Sequence, residues 1–186
     1  DTFANQPIES AVASFGQGFS VTPLKLAQLH ALIANGGKLV TPHITKGLKK
    51  DYQSYENTPV ESKQVISPQV AQIVLGWMET VVKNGSGAIA ELKESVSGYR
   101  IGGKTGTADK SQNGKNYDSK ICSFVASLPI EDPRFVVLVV VDEPQKPYAF
   151  GSTVAVPVAQ KIIETLLVIE QIPPSTDSKE LLAAKS

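Results

Sequence analysis

Apolar residues recur at helical spacing in three places along the chain. Thr22-Pro23 sets a capping hydroxyl ahead of a proline at the first helical position. Leu24, Ala27, Leu29, Ala31, Leu32 and Ile33 follow, and Asn35-Gly36-Gly37 stops the run. Ser67-Pro68 repeats the start signal. Val70, Ile73, Val74, Trp77, Met78 and Val81 form its predicted buried stripe, and Asn84-Gly85 ends it. A third helix is predicted from near Thr153 through Ile162, Ile163 and Leu166, with Pro157 tolerated near the first turn.

Between the second and third helices the period falls to two. Residues 121–128 alternate, with Cys122, Phe124, Ala126 and Leu128 on one face and Ser123 and Ser127 on the other. Residues 135–141, FVVLVVV, form an unbroken apolar run, which suits a strand buried on both faces. The connection PIEDP is turn-length, so these strands are predicted to pair as an antiparallel hairpin. A further short extended piece is predicted within 38–47. Beyond Gln171 the chain turns to Pro, Ser, Lys and Ala, so 1–170 reads as the folded part and 171–186 as a flexible tail.

Composition narrows this picture. A chain of 186 residues with 41% hydrophobic and 19% charged positions can bury one real core. The net charge of +0, without a like-charge run, gives nucleic acid nothing to bind. No window approaches 18 consecutive apolar residues, so no membrane segment is expected. The opening DTFANQPIES has neither the basic start nor the apolar run of a signal peptide. A lone cysteine, Cys122, excludes an internal disulfide and a multi-cysteine metal site, and neither metal nor cofactor is expected.

The chemistry concentrates in GYRIGGKTGT, residues 98–107, which satisfies two motifs at once. Gly98 to Thr105 fits the phosphate-loop pattern G-x-x-x-x-G-K-[ST], and Lys104-Thr105-Gly106-Thr107 fits the K-T-G of penicillin-interacting serine enzymes. A phosphate loop would make the chain an NTPase, with Asp142-Glu143 at the end of an apolar strand as its magnesium-holding pair. That motif needs a buried strand before the glycines and a helix straight after them. Here the polar ELKESVS precedes, and GTADKSQNGKNYDS, which cannot open a helix, follows. The other motif asks only for an edge strand, predicted over Tyr99–Ala108. Gly102, Gly103 and Gly106 would let a ligand lie against its backbone. Alternation puts Lys104 on one face and Thr105 with Thr107 on the other. An ammonium, two hydroxyls and free N–H donors then suit a carboxylate-bearing substrate. An exposed turn with a solvated lysine would carry the same four letters.

The wider chain bears on this choice. SFGQGFSVTPLKLAQLHALIANGGKLVTPHI, residues 14–44, strongly resembles the corresponding stretch of class B high-molecular-weight penicillin-binding proteins. GYRIGGKTGTADK, ICSFVASLPIEDPRFVVLVVVDEP and the closing helix resemble the rest of that transpeptidase domain, in the same order, over roughly residues 10–168. The resemblance implies an α+β fold, an antiparallel sheet flanked by helices and β-lactamase/transpeptidase-like. This chain would hold its C-terminal part, about three strands and three helices. It also implies a D,D-transpeptidase that cross-links peptidoglycan stem peptides and is acylated by β-lactams on the extracytoplasmic face of the bacterial inner membrane.

By that resemblance Lys104 supplies positive potential and orders the proton-transfer network. Thr105 and Thr107 hydroxyls bind the ligand carboxylate, Gly106 allows close contact, and the Thr107 N–H is an oxyanion donor worth about 3 kcal/mol of barrier. The catalytic pair would thus be Lys104 and Thr107, and the substrate-binding set Thr105, Gly106 and Thr107.

One departure stands out: no serine in the chain has a lysine three places on. Ser111-Gln112-Asn113 has the letters of S-x-N but follows K-T-G instead of preceding it. The nucleophile is therefore expected on the missing N-terminal half of the domain, and this chain alone is expected to be inactive. Partner pairing or self-association through an exposed sheet edge is a further expectation. A non-catalytic binding or scaffolding module of the same fold is the alternative, and β-lactamases share the K-T-G strand. Cys122, with His30 or His43 as base, could be a nucleophile but reads as a packed core thiol. Asp142-Glu143 reads as solvent-facing turn chemistry, Trp77 and Met78 read as core, and Tyr117 is a candidate for the cleft wall.

Overall fold

A computed structural model describes residues 6–57, 62–85, 88–112, 115–145 and 147–175. The chain opens with helix α1, Pro7–Ser14, which has a proline at its start and no buried residue. Helix α2, Pro23–Ala34, is capped by Thr22, whose hydroxyl accepts from the Lys25 N–H at 3.2 Å. Strand β1, Lys38–Leu39, leads to a two-residue hairpin of β2, Gly47–Lys50, and β3, Gln53–Glu56, with Asp51 at φ 52 in the turn. Strand β4, Lys63–Gln64, returns to pair with β1. Helix α3, Pro68–Lys83, is capped by Ser67 through the Val70 N–H at 3.2 Å. Helix α4, Ala88–Ser95, is followed by strands β5, Gly102–Gln112, β6, Lys115–Leu128, and β7, Phe135–Asp142. A π-helical turn, Gly151–Ala155, runs into helix α5, Val156–Ile169.

The main sheet is antiparallel in the order β5-β6-β7, so β5 lies at an edge. Phe124, Ala126 and Leu128 point to one face. There they meet Val137 and Val139 of β7, Ala159 and Ile163 of α5, and Leu92 of α4 in one continuous core. Val125 and Ser127 alternate to the other face and are buried too. That face carries α3: a side chain on Gly102, the register partner of Ser127, would run into Met78 and Glu79. The predicted hairpin of 121–128 with 135–141 is therefore present, and so are the helices begun by Thr22-Pro23 and Ser67-Pro68.

Several expectations change. The strand buried on both faces is β6, not β7: Phe124, Ala126 and Leu128 on one face of β6 and Val125 and Ser127 on the other are all buried, whereas Val140 of β7 is exposed. The edge strand predicted to end at Ala108 runs on into the polar stretch after K-T-G. Strand β5 continues to Gln112 and β6 begins at Lys115, with a register shift between Asp109 and Ser111. The buried face of α4 and the turn after it is Ile89, Leu92 and Val96, the last two of which lie within ELKESVS.

The largest revision concerns α3. Its buried stripe is Ala71, Leu75, Met78, Glu79 and Val82, whereas Val70, Ile73 and Trp77 face outward, Trp77 at 67% exposure. Met78 is core and Trp77 is not. Both stripes have helical spacing, and the one that wins contains a carboxylate. Arg100 and Lys83 neutralise that carboxylate, which makes the burial tolerable.

The C-terminal segment stays packed past Gln171. Ile172 and Ser175 are buried, Tyr99 donates its hydroxyl to the Ile172 carbonyl at 3.0 Å, and the Ser175 hydroxyl accepts from the Arg100 N–H at 3.0 Å. Residues 176–186, the rest of the expected tail, lie outside the described residues. Gly151–Ile169 is long and apolar enough to cross a membrane by length and composition. Val156, Ala159, Ile163 and Leu167 nevertheless bury one of its faces in the core, and Lys161 and Glu164 break the apolar run.

Candidate active site

The K-T-G-T residues fall in the middle of β5, on an edge with no partner strand on its outer side among the described residues. Their register partners fix which way each points. Lys104 pairs with Val125 and Gly106 with Ser123, on the α3 face; Thr105 pairs with Phe124 and Thr107 with Cys122, on the α5 face. The predicted division of the ammonium from the two hydroxyls is thus the geometry of the strand. Lys104 is exposed, and its ammonium donates to the Thr105 carbonyl at 2.8 Å. Thr105, Gly106 and Thr107 are half-buried. The Thr107 hydroxyl accepts from the Gly151 N–H at 3.0 Å, a contact that nothing in the residue pattern announced.

The glycines of this strand owe their place to what lies behind them. A Cβ on Gly103 would sit 2.6 Å from the Phe124 ring, and one on Gly102 would sit 2.7 Å from Ile130. Both residues are buried, so they serve packing and do not clear a path for ligand. Gly106 differs: it is half-buried, and its missing side chain leaves room for the Ser123 hydroxyl, 2.5 Å from where a Cβ would be.

Two polar clusters hold the ends of β5. At its start, Arg100 makes a two-pronged contact with Glu79, Nε to Oε1 at 2.7 Å and Nη2 to Oε2 at 2.8 Å, and Lys83 adds a third cationic contact at 3.0 Å. The Arg100 hydrogen bonds pull the Glu79 carboxyl down to about 2, with help from Lys83 and against burial, which pushes it up. At the far end, Lys110 reaches across the sheet to Glu143 at 2.7 Å and Asp142 at 3.0 Å; these contacts hold its ammonium above the usual lysine range. Asp142-Glu143 thus forms an ion cluster with Lys110.

The remaining candidates disperse. Cys122 is fully buried beside Thr107, and burial pushes its thiol up, as expected of a core thiol. Burial lowers the His30 imidazole, and its Nδ1 has no hydrogen-bond partner among the described residues. His43 is exposed, with Nδ1 3.0 Å from the Thr45 carbonyl. No group of three His, Cys, Asp or Glu side chains gathers among the described residues. Ser111 and Gln112 end β5 and Asn113 lies outside the described residues, while Tyr117 falls within β6. No helix follows Gly-Lys-Thr, so the phosphate-loop reading has lost its N-terminal amides.

An antiparallel sheet between helical layers, with a Lys-Thr-Gly-Thr edge strand, is the architecture of penicillin-interacting serine enzymes. The penicillin binding protein transpeptidase domain matches residues 2–164, and the chain belongs to that family. It is 44% identical to the peptidoglycan D,D-transpeptidase FtsI homolog of Mesostigma viride, over 93% of this chain and 31% of that protein. Among solved structures, a peptidoglycan synthetase from Bifidobacterium adolescentis superposes with a TM-score of 0.79 at 27% identity, over 95% of this chain and 32% of that one. The TP domain of Burkholderia pseudomallei penicillin-binding protein 3 gives a TM-score of 0.72 at 35% identity, over 94% of this chain and 50% of that one. The chain therefore spans about a third of the length of these curated relatives.

Proposed function

We propose that this chain is the C-terminal portion of a serine-type peptidoglycan D,D-transpeptidase and supplies one wall of its active site. The observation that carries this reading is the K-T-G-T strand, held at a free sheet edge with Lys104 on one face and Thr105 and Thr107 on the other. In this reading the serine and its lysine, S-x-x-K, come from the remainder of the parent protein, since the chain contains no such pair. Lys104 sets the positive potential that favours the anionic tetrahedral intermediate and orders proton transfer. Thr105 and Thr107 hold the carboxylate of a stem peptide or a β-lactam. Gly106 lets the acyl group approach, and the Thr107 N–H donates to the developing oxyanion. The setting would be the extracytoplasmic side of the inner membrane, where peptidoglycan is assembled.

A fluorescent penicillin tests this directly. It is expected to label the parent protein covalently and to leave the isolated chain unlabelled; labelling of the isolated chain would overturn the placement of the nucleophile. In the parent, Lys104→Ala is expected to slow acylation by about 100-fold or more, the scale of a lost proton-transfer group. An unchanged rate would remove Lys104 from the mechanism.

A further inference from the structure

Thr107 reaches its position with one of its acceptor sites already taken. The Gly151 N–H donates to its hydroxyl oxygen at 3.0 Å, from the first residue of the π-helical turn that opens α5. A threonine hydroxyl has one hydrogen and two lone pairs. With an N–H pointing at the oxygen, the hydroxyl hydrogen is driven to turn away from Gly151, where the Cys122 thiol beside it competes with a ligand at the sheet edge as acceptor. Accepting one hydrogen bond also strengthens the hydroxyl as a donor.

The turn that delivers this N–H is itself fixed. The Thr153 hydroxyl lies 3.0 Å from the Phe150 N–H, which donates to it, and itself donates to the Phe150 carbonyl at 3.1 Å. Lys120 sits over the Phe150 ring at 5.2 Å, and Ala155 and Val156 are fully buried in the core. Gly151 has no room for a side chain: a Cβ there would lie 2.6 Å from the Gly106 carbonyl oxygen and would also collide with the Ser123 carbonyl. The turn therefore presses, backbone against backbone, on the central glycine of K-T-G-T.

We propose that Gly151 is a positioning residue for carboxylate recognition. Its N–H fixes the Thr107 hydroxyl as a donor aimed at the carboxylate of the bound ligand, and its lack of a side chain allows that contact. The proposal rests on the transpeptidase reading, which supplies the carboxylate ligand. It goes beyond that reading by making the N-terminal turn of α5, forty-four residues away in sequence, part of how the strand selects anions.

The test uses the complete parent protein, a penicillin and the same penicillin as its methyl ester, with the acid-to-ester ratio of acylation rates as the readout. Gly151→Ala is expected to lower that ratio about tenfold or more in the wild-type background. In a Thr107→Val background, where the hydroxyl is already gone, it should change the ratio less than about twofold. Equal losses in both backgrounds would show that Gly151 acts through general packing and would overturn the proposal, as would an unchanged ratio. Should Gly151→Ala fail to fold, amide hydrogen exchange at Gly151 provides the second arm. Thr107→Val is expected to speed exchange about tenfold or more, and Thr107→Ser to preserve protection. Equal exchange in all three proteins would overturn the proposal. A wild-type parent that no penicillin acylates would overturn the transpeptidase reading itself and this proposal with it. Normal acylation with no coupling between positions 107 and 151 would overturn this proposal alone.

Discussion

Residues 6–66 and residues 67–175 are assembled on different terms. In the first region only Leu32 and Gly37 are buried among the described residues, while Phe15, Phe19, Val21, Leu24 and Leu29 are exposed and the β2–β3 hairpin is exposed along its whole length. In the second region β6 is buried on both faces and α4, α5 and the sheet close around a single core. The two differ in coverage more than in apolar content. Apolar side chains left exposed in one region are the kind of surface a partner covers, and under the proposed function the remainder of the parent protein would supply that cover. The K-T-G-T strand lies in the second region, beside the closed core.

The sharpest way to break the comparison is to empty the closed core. Phe124→Ala removes a fully buried ring against which Gly103 is fitted, and is expected to destabilise the chain by about 3–5 kcal/mol in chemical denaturation. A loss below about 1 kcal/mol would mean that the core is not closed as described.

The ion cluster at the start of β5 comes next. A Glu79 carboxyl at about 2 in the fold and near its ordinary 4.5 when unfolded stabilises the fold at pH above 4.5. That contribution is lost as the pH falls from 4.5 towards 2. Glu79→Gln is therefore expected to cost about 2–3 kcal/mol at pH 7, and the gap from wild type should close over that acid window. A pH-independent gap would assign the loss to packing instead of charge.

A substitution in the open region should do little in this chain and more in the parent. Leu29→Ala is expected to change the stability of the isolated chain by less than about 0.5 kcal/mol. In the complete protein it is expected to cost about 2 kcal/mol or more, the price of a buried leucine. Equal small effects in both would leave the first region without its proposed cover. The smallest effect is expected at Trp77→Ala, below about 0.5 kcal/mol, because the indole faces solvent on the outer side of α3.

Trp77 also shows how far the residue pattern could be read. Caps and strand pairing are local chemistry, so Thr22, Ser67 and the 121–141 hairpin were legible, and so was the alternation that separates Lys104 from the two threonines. Orientation was not. Helix α3 has two apolar stripes, and the buried one contains a glutamate whose partners lie four and twenty-one residues away. Pattern reasoning rejects a carboxylate in a core stripe unless it can see the arginine. The long β5–β6 hairpin was hidden by its polar composition, although Ile89, Leu92 and Val96 offered a usable helical signal just before it. The contact from Gly151 to Thr107 was out of reach for the same reason, since it joins a turn to a strand that no spacing rule connects.

The seam where the C-terminal segment returns to the entry of β5 has a use in protein engineering. The Ser175 N–H donates to the Gly98 carbonyl at 2.8 Å, which brings the two boundaries of the 98–175 segment side by side. Helices α3 and α4 supply Val82, Ile89 and Leu92 to the same core, so a cassette for engineering has to keep residues 67–175 together. The K-T-G-T strand and the Gly151 turn would then travel together with the helices that hold them.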